Sequence, residues 1–350
     1  MSELRVALIG YGLAGRWFHA PLIAANPDLR LTSVVTSNSE RGRQAEEDHP
    51  GVRVVADAAQ LWEEPLPELA VVATTNASHV PLATAAVERG VPVVVDKPLG
   101  VSSDEAQKLV RAAEAAGVLL TVFQNRRWDS DYLTLRRLVE AGRLGEVLRV
   151  ESRFERWRPD VDASAWRTAD PVQGGGQLLD LGSHLVDQVV QLLGPVTHIY
   201  AEISSLRGLP ADDDAFLALH HAAGAISHLR ASALTAAPGP RLRVLGREAA
   251  FVVQEPDSQE QLLRAGHRPD GGADWGQEPA SAWGRLLAGE AQEVVPSERG
   301  DWPAFYRQLA RALRDGGPAP VDPWDAVETL RILDLARQSA TTGSVLALTA

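Results

Sequence analysis

The sequence predicts an α/β chain in two parts: a parallel sheet covered by helices over residues 1–125, and a second α/β domain with a mainly antiparallel sheet over 126–350. Three observations carry this. Short runs of β-branched residues alternate with helical segments through the first third. Those runs are apolar throughout, as strands buried on both faces must be. Beyond residue 126, strand-like stretches follow one another across short turns, as antiparallel neighbours do. A chain of 350 residues also suits two domains, at about 150 residues each.

In the first part the strands are expected at 4–9, 31–35, 52–55, 70–74, 91–95 and 119–123, with helices at 15–25, 81–89 and 104–116. The last helix has Ser102 or Ser103 as its N-cap and Gly117 as its stop. In the second part a strand pattern covers 148–154, and a strong helix covers 178–193, closed by Gly194-Pro195. Strands follow at 197–204, 214–220, 225–233, 241–246 and 249–253. The stretch 255–300, rich in Gly, Pro, Gln and Trp, reads as a long irregular segment. Amphipathic helices at 304–314 and 325–339 end the chain, the last able to pack back on the first part.

Composition narrows the function. The formal charge is −12, which argues against a general nucleic-acid binder, since that needs a basic face. There is no cysteine, which excludes disulfides and thiolate metal sites. No apolar run nears the ~20 residues of a membrane span, and the opening MSELRVALIG lacks the pattern of a secretion signal. A cytoplasmic protein with no membrane or nucleic-acid partner is the expectation. Of 34 basic residues only Lys97 and Lys108 are lysine; the rest are arginine. Lysine in this chain is therefore a marked choice.

The first strand runs into Gly10-Tyr11-Gly12-Leu13-Ala14-Gly15 and then a helix. In that context G-x-G-x-x-G is a dinucleotide loop. Gly10 permits the tight turn, Gly12 leaves room for a pyrophosphate, and Gly15 lets helix and strand pack closely. The helix N-terminus offers free N–H groups to the anion. The second strand ends in Thr36-Ser37 with no acid, and Arg41 and Arg43 follow. An NAD site ordinarily has Asp or Glu there. Small hydroxyls beside a guanidinium suit a 2′-phosphate, so NADP(H) is preferred, with NAD(H) possible. The alternative is that both arginines are solvated surface charges.

Lys97 follows the fifth strand, at the sheet edge where ligands bind. It is read as a cofactor-crevice residue, against a plain surface lysine. On the helix over 178–193, Asp180, His184, Asp187 and Gln191 form a polar stripe. Residues four apart share a face, so Asp180 and His184 can act together. A solvated face is the alternative, but the stripe lacks Lys, Arg and Glu. The flexible Gly174-Gly175-Gly176 just upstream leaves room for a substrate or nicotinamide. Histidine titrates near neutral pH and suits a general base.

Taken together, the glycine loop, Thr74-Thr75-Asn76-Ala77-Ser78-His79, Asp96-Lys97-Pro98 and the Gly174–His184 stretch resemble the Gfo/Idh/MocA family of NAD(P)-dependent oxidoreductases. Gln124–Asp129 and Asp180–Asp187 are similar to its NADP-dependent scyllo-inositol dehydrogenase subgroup. The resemblance spans essentially the whole chain. Asp96 stands where the family has Glu, and Asn76 where it commonly has Pro. The resemblance implies a Rossmann domain followed by an α/β domain with a large open sheet, often an interface in dimers or tetramers. It implies hydride transfer between NADP(H) and a CH–OH group of a cyclic polyol or sugar. The alternatives are another sugar or aldose reductase on this scaffold, or a non-catalytic NAD(P)-binding regulatory module.

The resemblance also implies roles. His184 takes the hydroxyl proton, Lys97 bonds the same oxygen or relays the proton, and Asp180 orients substrate or Lys97. Motif and resemblance together assign the cofactor to Gly10, Tyr11, Gly12, Leu13, Gly15, Ser37, Arg41, Thr74, Asn76, His79, Lys97 and Trp166. They assign the substrate to Lys97, Arg127, Trp128, Arg156, Asp180 and His184. For His79 a helix cap is the alternative, and for Arg126, Arg127, Arg156 and Arg158 an arginine–carboxylate network at the domain junction. Asp187 reads as structural or substrate-binding alike, and Asp212-Asp213-Asp214 as a solvated charge run. His220, His221 and His228 lie on strand patterns without carboxylates at ligand spacing, so no metal is expected.

Overall fold

Six strands of the first part lie side by side and all parallel: β1 (Leu4–Ile9), β2 (Leu29–Val35), β3 (Arg53–Val55), β4 (Leu69–Val72), β5 (Val93–Asp96) and β6 (Leu120–Phe123), in the order β3-β2-β1-β4-β5-β6. The computed structural model describes residues 3–63, 65–161, 168, 170–269 and 274–348. Helices α1 (Ala20–Ala24), α2 (Ser39–Asp48), α3 (His79–Val87) and α4 (Ser103–Ala116) connect the strands. β4 and β6 are buried at every residue, which is why they are apolar without alternation. The order reverses between β1 and β4, opening a crevice at the strand ends, where such sheets bind ligands. α4 is capped by Ser102, whose Oγ accepts from Glu105 N, and stopped by Gly117 with φ +64°.

The second domain begins with α5 (Ser130–Glu140) and β7 (Val147–Glu155), and α6 (Ser183–Leu193) follows. Then come β8 (Val196–Ser204), β9 (Asp214–His221), β10 (Ile226–Ser232), β11 (Leu242–Gly246), β12 (Ala250–Val253), α7 (Gln259–Arg264), β13 (Gly284–Ala288), β14 (Ala291–Val295), α8 (Pro303–Asp315), α9 (Pro323–Thr342) and β15 (Leu346–Ala347). Nine strands form one sheet, β14-β13-β12-β11-β7-β10-β9-β8-β15. Every pair is antiparallel except β7 with β10. Burial alternates along β9 and β10 because only one face is covered. α6 lies over β7 and β10, and α9 runs between β8 and α4 of the first domain.

Aromatic packing joins the domains. Phe305 and Tyr306 of α8 stand 5.0 and 6.0 Å, centroid to centroid, from Phe123 at the end of β6. The Tyr306 hydroxyl is 2.7 Å from Nδ1 of buried His19. Thr121 Oγ1 donates to Val321 O at 2.8 Å. The strand ends of the first sheet are thereby held against the second domain.

Three expectations need correction. The segment 255–300, expected to be irregular, contains α7 and the β13–β14 hairpin. β14 is exposed over its first four residues, so it has no buried face to imprint a period on the sequence. The helices expected to start at residues 15 and 178 open as π-turns, Gly15–His19 and Leu178–Gly182, before α1 and α6 begin. Asp212 and Asp213 are not a solvated run. Both are buried; Asp212 Oδ2 accepts Leu178 N at 2.7 Å, and Asp213 binds the backbone N–H of Leu206 and Arg207.

Candidate active site

The glycine loop is shaped by contacts that only hydrogen tolerates. Gly10 has φ +102°, and a Cβ there would sit 2.3 Å from Ala73 O. A Cβ on Gly15 would sit 2.0 Å from Gly10 O. Gly12 is different: the nearest atom to its would-be Cβ is the Arg41 guanidinium at 3.7 Å, so this face is open. The loop forms one wall of a cleft of about 720 Å³ between the domains. Tyr11, Leu13, Ser37, Arg41, Thr74 and Asn76 line it beside Gly10 and Gly12, and Gly15 lies behind. These residues fit a dinucleotide: a glycine cradle, no carboxylate at the end of β2, and a guanidinium above Gly12. Arg43 pairs with Glu40, whereas Arg41 has no side-chain partner among the described residues.

Two residues of the fourth strand's turn serve the loop differently. Asn76 Nδ2 donates to Gly174 O at 2.7 Å, tying the turn to the glycine run of the second domain. That run is glycine for packing: Cβ atoms at Gly174 and Gly176 would lie 2.5 Å from Asn76 Cβ and 2.0 Å from Asp212 Oδ1. His79 does not line the cleft. It is buried, with ring nitrogens 2.7 Å from Pro98 O and 3.3 Å from Thr74 O, and holds the two turns together. Burial pushes its pKa down, so the ring is neutral.

At the far end of the cleft, Lys97 meets Asp180 across 83 residues. Lys97 Nζ donates to Asp180 Oδ1 at 2.6 Å and to Asp180 O at 2.8 Å. Asp180 lies in the π-turn, a helix irregularity common at functional sites. Behind the lysine, Asp96 Oδ1 accepts Lys97 N at 2.8 Å and lies 3.8 Å from His19 Nε2. Burial alone would raise the Asp96 pKa, but His19, Lys97 and His79 together hold it below the usual range.

His184, on the first turn of α6, lines the same cleft as Lys97 and Asp180. It is buried, and its Nδ1 has no hydrogen-bond partner among the described residues. Burial first, and then the nearby Lys97 and Arg126 cations, push its pKa well below the ordinary imidazole value of 6.5. The ring is therefore neutral at pH 7 and able to accept a proton.

The remaining expected residues divide. Arg156 lines the cleft. Arg127 does not: its guanidinium bonds Asp187 at 2.6 and 2.9 Å and Asp325 at 2.9 Å. This ties the segment after β6 to α6 and α9 and makes Asp187 structural. Trp128 also lies outside the cleft, packed edge-on to Phe305 at 6.0 Å. Trp166 lies outside the described residues. Residues that sequence reasoning missed as a set are Asn125, Gln177, Glu260, Arg264 and Trp302, all lining the cleft. Glu260 and Arg264 come from α7, which carried no detectable signal. Arg127→Ala is expected to cost about 3–5 kcal/mol of stability, because it leaves the buried Asp187 carboxylate unpaired. Urea denaturation measures this; a loss under 1 kcal/mol would contradict it.

Residues 4–124 match the oxidoreductase family with an NAD-binding Rossmann fold, and residues 132–252 match the Gfo/Idh/MocA C-terminal domain. The chain belongs to the Gfo/Idh/MocA family. It is an NAD(P)-dependent oxidoreductase. It is 31% identical to the scyllo-inositol 2-dehydrogenase (NADP⁺) IolW of Bacillus subtilis, over 97% of this chain and 94% of that one. It is 30% identical to the D-glucoside 3-dehydrogenase of Escherichia coli, over 55% of each chain. The crystal structure of YvaA from Bacillus subtilis superposes with a TM-score of 0.93 at 30% identity, covering 99% of both chains.

Proposed function

We propose that this family member interconverts a CH–OH group of a cyclic polyol or sugar with the corresponding carbonyl, using NADP(H) in preference to NAD(H). The observation that carries the reading is the meeting of Lys97, Asp180 and neutral His184 in the cleft that the glycine loop opens. Gly10, Gly12, Leu13, Ser37, Arg41, Thr74 and Asn76 would hold the cofactor, whose nicotinamide accepts or returns a hydride when bound. His184 takes the hydroxyl proton as the carbonyl forms and gives it back in reduction. Lys97 donates a hydrogen bond to the reacting oxygen and stabilises the charge developing there. Asp180 holds the lysine ammonium in place. A cytoplasmic setting and assembly of dimers or tetramers through the open sheet complete the proposal.

The test is polyol-dependent reduction of NADP⁺ and NAD⁺ over inositols and simple sugars. Turnover with one of them supports the reading. Cofactor binding without any turnover would assign the chain to a regulatory role instead. Arg41 supports the NADP preference, and Arg41→Ala is expected to raise KM for NADP⁺ roughly tenfold to hundredfold, the scale of a lost charge-assisted hydrogen bond. KM for NAD⁺ should move far less; equal changes for both cofactors would remove Arg41 from the 2′-phosphate.

A further inference from the structure

A second lobe of about 410 Å³ adjoins the cleft. The two share Arg126, Arg156, Arg158, Glu260 and Arg264 in their walls. Most arginines of this lobe already have carboxylate partners. Arg126 bonds Asp129 at 3.1 Å and Glu260 at 2.9 Å; Arg153 bonds Glu151 at 2.6 Å; Arg241 meets Asp131 at 3.0 Å. Arg264 stands 3.9 Å from Glu260. Of the carboxylates facing the lobe, Glu260 is engaged by Arg126, Glu155 by Arg230 and Gly239 N, and Asp257 by the backbone N–H groups of Ser130 and Gln259, while Glu255 is exposed to solvent.

Arg156 and Arg158 differ. Their backbones are fixed at the end of β7, with Arg156 N donating to Ser232 O at 2.9 Å and Arg158 N to Ala233 O at 2.8 Å. Neither guanidinium has a hydrogen-bond or ion-pair partner among the described residues. Arg158 is exposed, but Arg156 is half-buried. Burial draws the Arg156 pKa down; Glu260 opposes this, and the Arg158 and Arg126 charges add to it. A half-buried guanidinium stays charged; Glu260 and Asp180 offset part of the cost of burying this cation from a distance, but no described side chain bonds it. A neutral polyol offers only hydroxyls to such a group, whereas an oxyanion matches its planar fork.

We propose that the substrate carries an oxyanion, a carboxylate or a phosphate, and that Arg156 holds it while the CH–OH group reacts at His184. This rests on the dehydrogenase reading. The reaction is unchanged: the C–H and O–H bonds break and the C=O bond forms. The hydride carries two electrons to NADP⁺, and the proton goes to His184. The oxyanion takes no part in the bond changes.

The test uses D-glucose, D-glucuronate and D-glucose 6-phosphate, titrated calorimetrically into the NADP⁺-loaded protein and into its Arg156→Gln variant, with turnover assayed in parallel. One anionic member is expected to bind roughly tenfold to hundredfold tighter than glucose, and which one does so separates carboxylate from phosphate. Arg156→Gln is expected to remove most of that advantage. Equal binding of all three, or an advantage that survives the substitution, overturns the inference. So does an equal loss of NADP⁺ affinity in the variant, which would assign Arg156 to the cofactor. Anion-selective binding without turnover keeps the inference and removes the dehydrogenase reading. Turnover of glucose with no preference for the anions does the reverse.

Discussion

His184→Ala is expected to lower kcat for polyol oxidation roughly 10²- to 10⁴-fold, the usual range for a lost general base. NADP⁺ affinity should change little, because the glycine loop and Arg41 lie at the other end of the cleft. A kcat loss below tenfold, in a variant that still folds and binds NADP⁺, would take the base role from His184. The parent protein should also show a defined pH response. Its His184 pKa is held well below 6.5 by burial and by Lys97 and Arg126. Protonation would remove the proposed base, so the acidic limb of kcat/KM for oxidation is expected below pH 6.5. Stability follows the same sign. As pH falls below 6.5 the unfolded chain binds a proton at this position before the folded one does, so folding weakens as pH drops towards the depressed folded-state pKa. An acidic limb at or above pH 7 would contradict this environment for the ring.

The second large effect is Lys97→Met. It removes the ammonium that bonds Asp180 twice and the donor proposed for the reacting oxygen. Loss of such a donor typically costs about 10²- to 10³-fold in kcat. A purely structural lysine could also lower activity, so the pH profile decides. Lys97 holds the His184 pKa down while Asp180 acts to raise it. Removing the lysine therefore moves the acidic limb to higher pH. A lower kcat with an unmoved limb would make Lys97 a scaffold residue. Lys97→Arg should not restore activity, because a planar fork cannot replace a compact ammonium at 2.6 Å from Asp180 Oδ1.

Legibility followed the range over which each signal acts. The parallel strands were readable because burial on both faces writes an apolar run into consecutive residues, as in Leu69–Val72. The glycine loop was readable because its constraints, such as φ +102° at Gly10, exclude side chains at fixed spacing. Asp180 and His184 were readable because both sit on one short helical segment. The β13–β14 hairpin left no such imprint, since most of β14 faces solvent. The two π-turns were hidden because one extra residue in a turn barely alters a helical pattern.

The arginines show where the limit lies. Arg126, Arg127, Arg156 and Arg158 look alike as sequence: guanidinium groups beside tryptophans at the domain junction. Arg127 is neutralised by Asp187 and Asp325, which lie 60 and 198 residues away, and Arg126 by Glu260, 134 residues away. Arg156 forms no ion pair among the described residues, and Glu260 and Asp180 act on it only from a distance. The two-sheet architecture, the dinucleotide loop and the stripe bearing Asp180 and His184 can be read from local sequence, because each is encoded within one element or its adjoining turn. That Lys97 reaches Asp180, that Arg127 is spent on two carboxylates and that Arg156 is left facing the cleft emerges only when the chain is folded. Which charges neutralise one another depends on groups brought together from distant parts of the chain, and no local pattern records that.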